Sequence, residues 1–340
     1  MSADFSSLTQ PSIADTLPLA RSTRSIGSVW RRFTAYAMDS VLLGVVGAGI
    51  GSVFFDKLSQ IGVWGRLVGF CVALVYFSSL DSRVGGGQTP GKRWMKVRVI
   101  DAQGNTIPFA KCFLRSAIFL APSFLVGLRL PQARTPWIVS SLIFVIVLWV
   151  GGSTLYLITF NHQTRQGLHD LAVGSYVGIC DDAGPINAEA VHDAQWIALG
   201  TLLMAVSVAA AILNVKLEKM SPLPEMRQDA ALIEQLGGVQ RARLRDVLLH
   251  SSAGGGASKT LLVSVTLRSK SLDQEVFAEQ VARIIFQNDA HAQNYDELSV
   301  RLFYGYDIGI AQRWNHDEYT HTPTEWQRLL SGSPPASGLR

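Results

Sequence analysis

The sequence predicts an α-helical multi-pass membrane domain of about five transmembrane helices, followed by a small soluble α+β C-terminal domain. Three observations carry this. Hydrophobic residues make up 48% of the 340 residues and charged residues only 16%, with a mean hydropathy of +0.22; an average soluble domain carries about 25% charged residues. Five apolar runs approach the roughly 20 residues that a helix needs to cross a bilayer. Charge is also uneven: residues 1–220 carry a net +6 and residues 221–340 a net −2, which together give the chain's +4.

Residues 1–29 are polar and rich in Ser and Thr. They read as a disordered cytoplasmic tail and lack the apolar core of a cleaved signal peptide. The first apolar run, about 33–55, includes 41-VLLGVVGAGIGSVFF-55 and holds one acid, Asp39. The second, about 61–80, has Arg66 near one end. The third, about 112–128, is short and contains Arg115 and Pro122, so whether it crosses fully is the open point of the topology. The fourth, 137-WIVSSLIFVIVLWVGGSTLYLITF-160, has no charge. The fifth spans 194–217 and contains 197-IALGTLLMAVSVAAAIL-213.

Lys and Arg in short loops set orientation. Arg21, Arg24, Arg31 and Arg32 precede the first run, a basic cluster from Arg83 to Lys111 lies after the second, and Arg165 lies after the fourth. With five crossings all of these fall on one side. The expectation is a bacterial inner-membrane protein with a cytoplasmic N-terminus and an extracytoplasmic domain at 222–340. A third run that failed to cross would move that domain to the cytoplasm. The basic excess flanks apolar runs, so it reads as membrane orientation and not as nucleic-acid binding.

The C-terminal region reads as alternating helix and strand. Helical spacing covers 225-EMRQDAALIEQL-236, and 260-TLLVSVTL-267 is a strand. The stretch 273-DQEVFAEQVARIIF-286 is a helix with an apolar face, capped by Asp273. Next, 298-LSVRLFYGYDIGIAQRW-314 reads as two strands, with Gly305 suited to the turn between them. Thr322, Pro323 and Glu325 form a capping-box start for a last helix.

The stretch 85-GGGQTPGKRW-94 spells G-x-x-x-x-G-K from Gly86. A phosphate-binding loop needs a buried strand before it, a helix after it, and a Ser/Thr where Arg93 stands. Here a membrane helix precedes it. The next segment, 97-VRVIDAQGNTI-107, alternates like a hairpin with its turn at Gln103-Gly104-Asn105. The stretch therefore reads as a Gly-rich cytoplasmic turn, part of a β-hairpin loop over 83–110, with a basic anchor for lipid headgroups.

Three segments in order, 31-RRFTAYAMD-39, 88-QTPGKRWMKVRVIDAQGN-105 and 166-QGLHDLAVGSYVG-178, resemble the RDD family of bacterial membrane proteins. The resemblance covers about residues 30–180; the fifth run and the C-terminal domain lie outside it. It assigns Arg32 to the family arginine, Asp39 to the first aspartate and Asp170 to the second. The family usually has a polar or small residue where Pro90 stands. The resemblance implies transport as a function, with cation/proton exchange implied for some members.

Read physically, Arg32 and Asp39 share a helix face but stand about 10 Å apart along the axis. Arg32 is expected to snorkel to the headgroups. Asp39 inside the hydrocarbon must be paired, protonated or wet, since an unpaired charge there costs about 3 kcal/mol or more. Arg115 is its candidate partner. Asp81 reads as interfacial. Asp170, beside His169, reads as a cap or loop-ordering residue that Lys92 and Arg93 neutralise, unless those two contact lipid phosphate instead. The stretch 173-VGSYVGI-179 is expected to pair with 97-VRVI-100.

Gly44-x-x-x-Ala48 and Gly47-x-x-x-Gly51 allow close helix contact, within the chain or between copies in a homo-oligomer. Cys71, Cys112 and Cys180 form no disulfide framework and no zinc motif, and His316, Asp317 and His321 fit no metal-ligand spacing. No cofactor and no enzymatic activity is expected. Two functions stay open: transport of a small cation or proton-coupled solute through a site at Asp39, or a membrane anchor or assembly protein whose C-terminal domain binds a protein partner.

Overall fold

The computed structural model of the chain describes residues 25–332, except 129, 132–134, 136, 183, 187–190, 219–222, 251–256, 271–272 and 290. The tail expected at 1–29 therefore falls largely outside the described residues. Its last part is extended, with Ile26 bridged to Gly178 and the Gly27 amide donating to Val177 O at 2.9 Å.

Helix α1 (Val29–Val53) starts at Ser28, whose hydroxyl accepts from the Arg31 amide. Its buried residues are Ala35, Asp39, Leu43, Gly47 and Gly51. Spaced by four, they form one stripe along the helix. Val41, Val45 and Val46 face outward. A short helix α2 (Phe55–Ile61) leads into α3 (Gly65–Leu80), which repeats the pattern with Gly65, Gly69, Ala73 and Phe77. After the glycine-rich turn come α4 (Pro90–Trp94), β1 (Val97–Ile100) and α5 (Phe109–Val126). Helix α6 (Trp137–Ile146), a π-helical turn at Val147–Gly151 and α7 (Gly152–Phe160) form one continuous apolar segment. Helix α8 (Leu168–Val173), β2 (Tyr176–Ile179) and α9 (Asp193–Glu218) come next. Among the described residues, five segments are long and apolar enough to cross a membrane: Val29–Val53, Phe55–Leu80, Phe109–Val126, Ile138–Phe160 and Asp193–Leu213.

The third of these runs from one end of the helix bundle to the other. At its start Cys112 packs with Val97, Val99, Ile107 and Val177 of the small sheet. At its end Phe124 stacks edge-on to Phe70 at 5.4 Å and its carbonyl accepts from Arg66 at 2.7 Å. Helix α9 starts beside α7, with Leu199 and Leu203 packed on Leu157. The β1/β2 end and the C-terminal region thus lie at opposite ends of the bundle.

Strands β1 and β2 pair antiparallel from Val97↔Ile179 to Ile100↔Tyr176, the pairing expected from the sequence. The hairpin expected within 83–110 does not form. The turn at Asp101–Gly104 closes, with the Asp101 amide on Asn105 O at 2.8 Å. The chain then buries Ile107 and enters α5 after Pro108, so β2 takes the edge of β1 that a returning arm would have used.

The C-terminal region contains α10 (Leu223–Ile233), β3 (Val239–His250), β4 (Ala257–Leu267), α11 (Gln274–Asn288), β5 (Glu297–Asp307), β6 (Gln312–His321) and α12 (Pro323–Gly332). The sheet order is β3-β4-β5-β6. Only β4 and β5 are parallel, because α11 supplies the crossover that a parallel pair needs. Val263, Val265, Val300 and Leu302 pack against Phe277, Val281 and Ile285 of α11 and against Trp326. Strand β3 is an addition to the elements expected from the sequence. Its alternation is present, with Ala242 and Leu244 buried between exposed Arg243 and Arg245, but the arginines hide it.

The turn between β5 and β6 is not at Gly305, which pairs with Trp314 inside the ladder. The chain turns at Ile308–Ala311, where the Ile308 amide donates to Ala311 O at 3.0 Å. Strand β5 continues because Tyr306 and Ile308 are buried with Leu58 of α2. This tip docks among α1, α3 and α5. Ile310 meets Gly47, the Tyr306 hydroxyl meets Gly51, the Ile308 carbonyl meets Gly69 and Phe124 lies on Gly309. Arg66 pairs with Asp307 at 3.1 Å, and the Tyr304 hydroxyl donates to Asp56. The small-residue face of α1 therefore carries a contact within the chain.

Candidate functional site: buried charges beside a cavity

Asp39 is fully buried. Its carboxylate accepts from the Tyr76 hydroxyl at 2.8 Å, the Gly91 amide at 2.9 Å and the Thr89 hydroxyl at 2.5 Å. All three donors are neutral. The expected pairing with Arg115 does not occur, because Thr89 and Gly91 fill the space over α1. The role of the glycine-rich stretch is thereby visible. Thr89 caps α4 through the Lys92 amide, and a Cβ on Gly91 would lie 2.2 Å from Ala35 O. Only glycine brings that amide to Asp39.

Asp81, expected at the interface, is also fully buried. It extends the α3 stripe by one more step of four. Lys92 Nζ lies 2.5 Å from both of its oxygens, and Arg115 Nη1 donates to Oδ2 at 3.0 Å. Lys92 thus pairs with Asp81 and not with Asp170. Arg93 is exposed and reaches Gly85 O at 3.4 Å; it does not neutralise Asp170 either.

Asp170 accepts from Arg115 Nε at 2.8 Å, the Ser175 hydroxyl at 3.0 Å and the Gly167 amide at 3.3 Å. The last of these closes the capping box of α8, so the loop-ordering geometry read from the sequence is present, together with charge pairing. Arg32 does not snorkel. It turns inward to the carbonyls of Gly27, Arg165 and Val177, with Nη1 3.6 Å from Asp170. These carbonyls belong to the extended segment before α1, to the Arg165 turn and to β2, and offer fixed acceptors that water would otherwise supply.

Arg115 therefore bridges Asp81 and Asp170 at the centre of a network that Lys92 and Arg32 extend on either side. Burial, the largest single influence, opposes charge on Asp170, yet Arg115, His169 and Arg32 together outweigh it and hold this carboxyl below the usual range. Burial pushes His169 down to about 3, against the pull of Asp170 and with the push of Arg115, Arg32 and Lys92. Burial also lowers Lys92, although Asp81 opposes this. The network borders a cavity of about 370 Å³ reached by α1, α5 and α7; all three acids, Lys92 and both guanidiniums line it.

Sequence reasoning found Arg32, Asp39, Lys92, Arg115 and Asp170 but not their partners, and it did not foresee that Asp81, at its helix end, is buried and charge-paired. The one usable signal was that Asp81 continues the spacing Gly69, Ala73, Phe77. In the C-terminal region, His316 stacks on Phe303 at 5.5 Å and His321 meets Trp326 edge-on at 4.9 Å. Among the described residues no group of three His, Cys, Asp or Glu side chains could hold a metal.

Fold and site together define a multi-pass helical module with a buried, charge-paired network at one end, joined to a C-terminal α/β sheet region. The model of the RDD family matches residues 26–174. The match is consistent with an RDD-family module followed by an additional C-terminal region. The match and the apolar helices suggest a membrane protein in contact with lipid. No curated protein and no solved structure matches the chain significantly.

Proposed function

We propose that the RDD module exchanges a small cation for a proton, and that the exchanging group is the Lys92–Asp81 pair. The observation that carries this reading is a buried ammonium–carboxylate pair on the wall of a cavity. Burial lowers the proton affinity of Lys92, although Asp81 opposes this, so burial favours release of its proton. Transfer from Nζ to Asp81 turns an ion pair into a neutral amine and acid. That proton then leaves Asp81 for water, and a cation binding the freed carboxylate restores the lost ammonium charge, so cation entry and proton exit are linked by charge balance. Asp39, saturated by three neutral donors, positions the Thr89–Gly91 turn that carries Lys92. This moves the site proposed from the sequence by one acid, from Asp39 to Asp81.

The Lys/Arg distribution supports a cytoplasmic N-terminus in an inner membrane and an extracytoplasmic C-terminal domain; alkaline phosphatase fused after residue 332 should be active, and a cytoplasm-only fluorescent reporter should be dark. The test of exchange is dissipation of a pH gradient in everted vesicles by Na⁺, K⁺ or Li⁺. Native chain should respond and Lys92→Met should not, at equal expression. Lack of response in native vesicles to all three cations refutes the reading.

The alternative, an anchor whose C-terminal domain binds a partner, has one observation in its favour. Arg243 and Arg245 stand exposed on the sheet face opposite the α11 core, suited to an acidic partner. A soluble partner cross-linked to a photoreactive residue at 243, and lost on charge reversal of both arginines, is what this second role requires.

A further inference from the structure

The same cavity holds polar atoms that the charge network does not use. His169 Nδ1, Ser116 Oγ and Thr154 Oγ1 are buried without a hydrogen-bond partner. They come from α8, α5 and α7, and all three residues line the cavity. His169 and Thr154 both border Gly167, within 3.0 Å of where its Cβ would stand. The His169 ring lies 4.9 Å from Phe119, one turn beyond Ser116. A buried polar group left unsatisfied is destabilising, so three around one space mark a place for a hydrogen-bonding guest.

Charge decides what kind of guest. Asp81 and Asp170 are matched by Lys92, Arg115 and Arg32, and Asp39 by neutral donors. A charged headgroup would have to break one of these pairs, whereas the unused groups are two hydroxyls and one imidazole. With Nε2 turned toward Asp170 at 3.5 Å, Nδ1 is the lone-pair side and needs a donor from the guest.

Apart from Tyr36 and Ser123 the rest of the lining is apolar, and it reaches the outer flank of the bundle. Phe33 and Leu155 line the cavity yet are 61% and 71% exposed, on helices that face lipid. The volume of about 370 Å³ falls in the range of about 300–1,000 Å³ typical of small-molecule pockets. We propose that this cavity is a binding site for a neutral, hydroxyl-bearing amphiphile that enters from the lipid, its hydroxyl donating to His169 between Ser116 and Thr154 and its chain lying along Phe119 and Leu155. The site stands independently of cation exchange at Asp81, because binding needs no proton movement.

The experiment is photolabelling of the purified full chain in lipid nanodiscs with octanol carrying a diazirine on its chain. Matched probes with a carboxylate, a trimethylammonium or only a methyl head serve as comparison. The alcohol should label peptides covering 113–123 or 151–160, saturably, and several-fold more than the other three. Ser116→Ala with Thr154→Val should cut this labelling at least fivefold. In the unmutated chain, unlabelled octanol should compete and octane should not, which tests the idea even where the double variant folds poorly. Equal labelling by the methyl-headed probe, better labelling by a charged one, or no saturable labelling (a cavity filled by water only) overturns the proposal.

Discussion

Replacing Arg115 by Met gives the sharpest test of the network, because Arg115 serves two acids at once. Its guanidinium lies 2.8 Å from Asp170 and 3.0 Å from Asp81, with 8% of the side chain exposed. After the substitution Asp81 keeps Lys92 at 2.5 Å. Asp170 keeps its neutral donors Ser175 and Gly167, but of its guanidinium partners only Arg32, at 3.6 Å, beyond good hydrogen-bond length. The injury is therefore concentrated on Asp170. Removing one partner of a buried pair costs about 3–5 kcal/mol, and that is the loss expected here. Adding Asp170→Asn removes the stranded charge while the amide oxygen can still accept from Ser175 or Gly167. The double variant should then be more stable than the sum of the single changes by at least about 1 kcal/mol. Asp39→Asn should give no such relief, since Asp39 touches Tyr76, Thr89 and Gly91 and not Arg115; its effect should add within about 0.5 kcal/mol. The assay is SDS-induced unfolding of the purified chain in detergent micelles at pH 7. Additive effects of Asp170→Asn, or rescue by Asp39→Asn, would refute the assignment of partners.

The same geometry makes three further outcomes testable. His169 is buried and its proton affinity is depressed to about 3; the unfolded chain therefore binds a proton that the folded chain refuses, so stability is full above about pH 6.5, falls as pH drops and levels off near 3. Asp170 favours that proton while Arg115, Arg32 and Lys92 oppose it; the loss by pH 5 is about 2 kcal/mol, His169→Gln should flatten this part of the profile, and a native chain equally stable at pH 7 and pH 5 contradicts the reasoning. Gly91→Ala places a methyl 2.2 Å from Ala35 O and should lower the folded yield severely, whereas Gly86→Ala, with open space around it but a φ of +69°, should cost only about 1 kcal/mol; equal yields would show that α4 does not need its close approach to α1. Gly69→Leu should eject the β5–β6 tip, since even a Cβ there would sit 1.7 Å from Ile308 O, and hydrogen exchange of residues 306–311 should rise while that of β1 and β2 is unchanged; protection retained at the tip would mean that it is not wedged against α3.

Arg32, Asp39 and Asp170 are legible in the sequence because they sit in short motifs, and the pairing of 97–100 with 176–179 because both segments are short, apolar and flanked by breaks. Lys92 and Arg115 are recognisable as charges in need of partners, but their partners are not. Asp81 looks interfacial because it ends an apolar run; its burial comes from α4 and α5 folding over that end. Strand β3 is hidden behind its arginines. Gly305 suits a turn by residue type, yet glycine tolerates equally the close pairing that it makes with Trp314.

Five apolar helices, the expected placement of basic loops and the helix starts at Asp273 and Thr322 are readable from the chain alone, since each depends on residues within a few positions of one another. Only the tertiary structure decided which acid meets which base, that the C-terminal hairpin tip closes onto Gly47, Gly51 and Gly69, and that a cavity adjoins the charges. The physical reason is range. Hydrogen bonds and buried ion pairs act over about 3–4 Å, and the 55 positions between Arg115 and Asp170 carry no information about that distance until the helices pack.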